Sequence, residues 1–78
     1  MAKSMSQRQE AEVAIQERFA RLNDRLSERS RRLFAASEAM TFGFGGVAAV
    51  SRATGLSSAT IRKGIQESRA IASGRLEP

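Results

Sequence analysis

The chain has 78 residues, with 13 Lys and Arg against 8 Asp and Glu, for a formal net charge of +5. It has no Cys and no His, which excludes disulfides, thiolate and imidazole metal sites and the usual general base, so no cofactor is expected. A chain this short forms one small domain with a thin core, and no apolar run approaches the roughly 20 residues that cross a bilayer, so a cytoplasmic protein without a membrane partner is expected.

Proline is almost absent and β-branched residues are sparse, which favours an all-α fold. Residues 1–5 carry no pattern and are expected to form a disordered tail. From Ser6 to Leu22, apolar residues recur at Ala11, Ile15, Phe19 and Leu22, the spacing that lines one face of a helix. Glu17 and Arg21 stand at i,i+4 on its exposed side. Packing on the rest of the domain is the simpler use of the apolar stripe, and a homodimer through this first helix is the alternative. Asn23 and Asp24 interrupt the helix, because both side chains compete for backbone hydrogen bonds. Leu26 is expected as a buried plug.

Ser27 is placed to cap a second helix, expected over residues 28–41, with Leu33, Ala36 and Met40 inward and Phe34 and Ser37 at the border. Arg29, Arg31 and Arg32 cluster near its start, on a solvated face or as a phosphate grip. Three glycines within residues 43–46 end the helix and make a tight elbow, with Phe42 or Phe44 tucked into the core. A nucleotide-binding loop would need a preceding strand and a following Gly-Lys-Ser/Thr, and neither is present.

A third helix is expected over residues 47–54, stopped by Gly55 in the left-handed conformation. Ser57 then caps a fourth helix, residues 58–72, through the amide of Thr60. Ile61, Ile65 and Ile71 should point inward, and Gly64 should mark the close approach of a neighbouring helix. The expected organisation is thus a small bundle of about four helices over residues 6–72, followed from residue 73 by the start of a linker.

The last two helices have the pattern of a helix-turn-helix. Ser51 holds the small position where the helices cross, Gly55 makes the turn, Leu56 plugs the corner and Ile61 anchors the second helix. Ser51 in place of the commoner Ala and Gly64 in place of the commoner apolar residue are mild departures. Charge supports the pattern: residues 39–66 include no Asp or Glu, while Arg52, Arg62 and Lys63 fall inside.

Residues 27–67 closely resemble the amino-terminal region of the ISAzo-type insertion-sequence transposases. In that family a segment of the form E-R-x-R-R-L-x-A-A-x-E-A precedes a glycine-rich turn, matched here from Glu28 to Ala39. A segment like G-G-V-x-A-V-x-R-A-T-G-L-S-x-x-T-I-R-x-G follows, matched from Gly45 to Gly64. Asn23-Asp24 departs from it, standing where a proline-containing turn is expected. The resemblance implies an amino-terminal DNA-binding module, followed in the parent protein by an RNase H-like (DDE) domain with three metal-binding carboxylates. The eight acidic residues here are too scattered to supply that site, so the chain is expected to be a recognition fragment or a truncated reading frame and not itself an enzyme.

The expected partner is double-stranded DNA. Ser57, Ser58, Ala59 and Thr60 would face phosphates or base edges at the start of the recognition helix. Arg62 and Lys63 would make the strongest contacts, and Arg52 would approach the flanking backbone. Two other readings fit the residues. One is a stand-alone regulator similar to lactose-repressor-type proteins at Val50, Gly55, Ser57 and Thr60. The other is a helical dimerisation module built on the first stripe.

Overall fold

The computed structural model describes residues 5–76, which form four α-helices and no strand. Helix α1 spans Gln7–Leu22, α2 Glu28–Phe42, α3 Gly46–Thr54 and α4 Ser58–Ala72, with a 3-10 turn at Asn23–Arg25. The all-α bundle is the one expected from the sequence. Residues 1–4 of the expected tail and 77–78 of the expected linker lie outside the described residues.

Each of the three longer helices starts on a serine, because a serine oxygen can accept from an amide that the first turn leaves without an intrahelical partner. Ser6 accepts from the amide of Gln9 at 3.1 Å, while the Gln9 side chain accepts from the Ser6 amide at 2.8 Å, closing a capping box on α1. Ser27 and Ser57 accept from the amides of Ser30 and Thr60, each at 3.1 Å, as expected for α2 and α4. At its far end α4 closes with Gly74 left-handed at φ 78°; the amides of Arg75 and Gly74 donate to the carbonyls of Ala70 and Ile71 at 2.9 and 3.1 Å. That pairing is a Schellman cap, so the expected linker begins with an ordered turn.

The core consists of Ile15, Ala35, Ala39, Val50 and Ile61, with Phe42, Val47, Ala53, Leu56 and Ile65 packed around it. On α2 the structure corrects the expected stripe. Ala35, Ala36 and Ala39 are buried, Leu33 is half-buried, and Met40 is 45% exposed. Size decides this, since alanines let two other helices come close where leucine and methionine would hold them apart. Gly64 of α4 rests against Arg32 and Ala36, and a methyl added there would run into the Arg32 carbonyl. Gly46 at the start of α3 is pressed in the same way against Ala39. Gly64 therefore does mark the close approach of a neighbour.

Helix α1 spends its apolar stripe inside this chain. Ile15 is buried, and the Phe19 ring lies 6.0 Å from that of Phe34. Leu22, expected inward, is 39% exposed, because the chain turns away at this point into the 3-10 segment. Glu17 and Arg21 form no ion pair; Arg18 instead crosses to Glu38 on α2 with two bonds of 2.6 and 2.8 Å. Arg31, from the arginine cluster at the start of α2, is half-buried and held internally. It donates to the Asn23 side chain at 2.8 Å and to the carbonyls of Asn23 and Leu26 at 3.0 and 3.1 Å, fastening the junction between α1 and α2.

Candidate nucleic-acid interface

Helix α3, the turn Gly55-Leu56-Ser57 and α4 make the expected helix-turn-helix. Gly55 takes φ 79°, a conformation open to glycine without a Cβ penalty, and its amide donates to the Ser51 carbonyl at 2.9 Å. The Ser51 hydroxyl donates to the Leu56 carbonyl at 2.7 Å. The Thr54 hydroxyl donates to the Val50 carbonyl at 2.7 Å and accepts from the Leu56 amide at 3.2 Å. Ser51 in place of alanine thus has a reason: it satisfies a turn carbonyl that alanine would leave to water. Val50 and Ile61 are fully buried beneath the corner and set the two helices against each other.

With Ile61 and Gly64 facing the core, the opposite side of α4 is fixed. Ala59, Arg62, Lys63, Gln66 and Arg69 are all exposed. Their offsets of three, four, seven and ten residues from Ala59 place them in one stripe along the helix. The side chains of Arg62, Lys63 and Arg69 form no hydrogen bond or ion pair within the described residues. Gln66 and Arg69 were not among the expected contacts, and continuing the outward stripe past Lys63 would have found them.

Glu67 is the first acid after residue 38, and it flanks the stripe one turn after Lys63. It accepts from Arg32 at 2.7 and 3.2 Å and lies 3.8 Å from Arg29, against α2. The Arg32 hydrogen bond outweighs desolvation and holds the Glu67 carboxyl below its ordinary range, with Lys63 and Arg29 adding to the effect. The acid nearest the cationic face is thus neutralised by the two α2 arginines.

The remaining expected contacts divide into two groups. Ser57 and Thr60 are engaged in the cap, the Ser57 hydroxyl donating to that of Thr60 at 2.9 Å, which leaves the Thr60 proton free to donate outward. Ser58 is half-buried. Arg52 is exposed but already held: its guanidinium donates to Glu12 on α1 at 2.8 and 3.1 Å, and that hydrogen bond keeps the Glu12 carboxyl low. The structure therefore brings Ala59, Arg62 and Lys63 together as a free surface, keeps Ser57 and Thr60 in the cap and ties Arg52 to a carboxylate. Among the described residues no three acidic side chains converge as a metal site requires. Compared with known proteins, the chain matches no family model, no curated protein and no solved structure.

Proposed function

We propose that this chain binds double-stranded DNA by laying the outward stripe of α4 into the major groove. On the resemblance of residues 27–67, it would serve as the amino-terminal module of an insertion-sequence transposase and recognise the element ends. The observation that carries the reading is the unpaired, acid-free row of Arg62, Lys63, Gln66 and Arg69 on a helix locked from behind by Gly64. A duplex groove lined by phosphates is the partner such a row complements.

Each side chain then has a role that its chemistry allows. Arg62 can present two donors to guanine, and Gln66 can pair bidentately with adenine. Lys63 and Arg69 suit phosphates, which fix position without reading sequence. The start of α4, from Ser57 to Thr60, would lie near the backbone, where its free amides and dipole favour an anion. Arg52 would meet a phosphate with its Nε and Nη2 already given to Glu12. In this reading the chain supplies recognition, and strand cleavage belongs to another part of the parent protein.

One motif makes few contacts, so affinity should be weak and steeply dependent on salt. Anisotropy titration of a labelled mixed-sequence duplex, repeated between about 50 and 200 mM salt, tests this. The wild-type chain should bind at low salt with a negative salt slope, and the Arg62→Ala/Lys63→Ala double variant should lose binding. Survival of the double variant's binding at moderate salt would show that another surface contacts DNA.

A further inference from the structure

The chain has four phenylalanines, and one of them is unlike the rest. Phe19 lies against Phe34 and Phe42 packs on the core, whereas Phe44 is 93% exposed. Sequence reasoning expected either Phe42 or Phe44 to be tucked in; the structure tucks in Phe42 and projects Phe44.

The projection is built, not loose. The Gly46 amide donates to the Gly43 carbonyl at 2.9 Å, closing a four-residue turn. Gly45 stands at φ 78°, ψ 8°, the third position of a type II turn, which puts Phe44 at the second. Arg8 of α1 braces the turn from below. Its guanidinium sits 4.8 Å from the centre of the Phe42 ring and donates to the Phe44 carbonyl. The glycines of the same turn line a groove that they share with Arg62, Ile65 and Arg69 of α4, and the Phe44 ring stands at its rim, outside that lining.

From this we infer that Phe44 is a stacking residue. When α4 is seated on DNA, Phe44 takes up a base that has left the helical stack at the flank of the α4 footprint, while Arg69, on the α4 edge of the neighbouring groove, holds an adjoining phosphate. This deepens the DNA-binding reading and rests on it. Nucleic-acid-binding surfaces handle unstacked bases with an aromatic face or wedge beside cationic side chains. Charge disfavours a second copy of the chain as the occupant. Residues 39–66 offer no carboxylate, so the same patch on a second molecule would bring arginine against arginine.

Two labelled duplexes test the inference, one fully paired and one identical except for a single unpaired 2-aminopurine. The wild-type chain should prefer the second by about tenfold, with quenching of the 2-aminopurine as the ring stacks on it. Phe44→Ala should abolish both the preference and the quenching while keeping affinity for the paired duplex. Because the side chain is almost fully exposed, this variant should also keep the wild-type melting temperature. Phe44→Trp should restore the preference, and Phe44→Leu, apolar but without a ring face, should not.

Equal preference in wild type and Phe44→Ala, or none in wild type, overturns the inference and leaves the DNA reading standing. Absence of binding to either duplex at low salt overturns both. A Phe44-dependent dimer in sedimentation without DNA would also overturn it, by assigning the ring to a second copy.

Discussion

Arg52 on α3 and Arg62 on α4 are both exposed arginines inside the same acid-free stretch, yet they differ in what their guanidinium groups already hold. Arg52 is clasped by Glu12 from α1, and Arg62 has no side-chain partner among the described residues. The same contrast runs across the molecule. Arg18, Arg31, Arg32 and Arg52 are committed to joining helices, while Arg62, Lys63 and Arg69 stand free along one face. A net charge of +5 does not by itself point to a binding surface. What points to it is the set of cations that remain after internal pairing.

The strongest way to break this contrast is to dislodge α4. Gly64→Val should push α4 off α2, because the added carbon meets backbone that cannot yield. The cost should lie at or above the upper end of the roughly 1–3 kcal/mol range for overpacking, read as a lower urea midpoint. Loss of DNA binding should follow from misplacing the whole stripe. No change in midpoint would mean that the two helices are not locked at this contact.

Next in size is the comparison of cations at matched salt. Lys63→Ala/Arg69→Ala should reduce the slope of log affinity against log salt by about two, and Arg52→Ala should change it by much less. Equal effects would erase the distinction between tied and free arginines.

Acid should loosen the tied pairs of Glu12 and Glu67. Glu12 and Glu67 have carboxyls held below their ordinary range by Arg52 and Arg32, so the folded state binds their protons less readily than the unfolded chain does. Their contribution is therefore complete above the unfolded value near 4.5 and is lost as pH falls through the lower folded values. The melting temperature should drop across that window, and Glu67→Gln should flatten the drop while lowering the plateau at neutral pH. The smallest effect is expected from Glu12→Gln, which frees Arg52 and removes one negative charge. It should tighten DNA binding by about two- to threefold at low salt and fade as salt rises.

Features fixed by chemistry within a few residues were readable from the sequence. Ser27 and Ser57 cap because their oxygens reach amides three residues on, and Gly55 turns because a residue without a Cβ takes the left-handed conformation at no steric cost. Features fixed across the fold were hidden. Arg52 meets a partner 40 residues away and Arg32 one 35 residues away, so no local pattern told the tied arginines from the free ones. Hydrophobicity points Leu33 and Met40 of α2 inward, but size decides the inner face, because α3 and α4 come too near for more than the alanines. Phe42 and Phe44 are separated by phase, since Phe42 continues the row of Ala35 and Ala39 and Phe44 falls beyond the helix end.

The contact of Gly64 with α2 also fixes the roll of α4 about its own axis, together with the two-pronged grip of Arg32 on Glu67. Rotational register is therefore set from the middle of the helix, where Ile61, Gly64 and Glu67 are held, and not from the Gly55 turn. An extra residue in that turn should be absorbed as a bulge, with every side chain of the stripe still facing outward. An extra residue between Arg62 and Gly64 should swing Ala59 and Arg62 by about 100° while Gln66 and Arg69 stay in place, splitting one face into two.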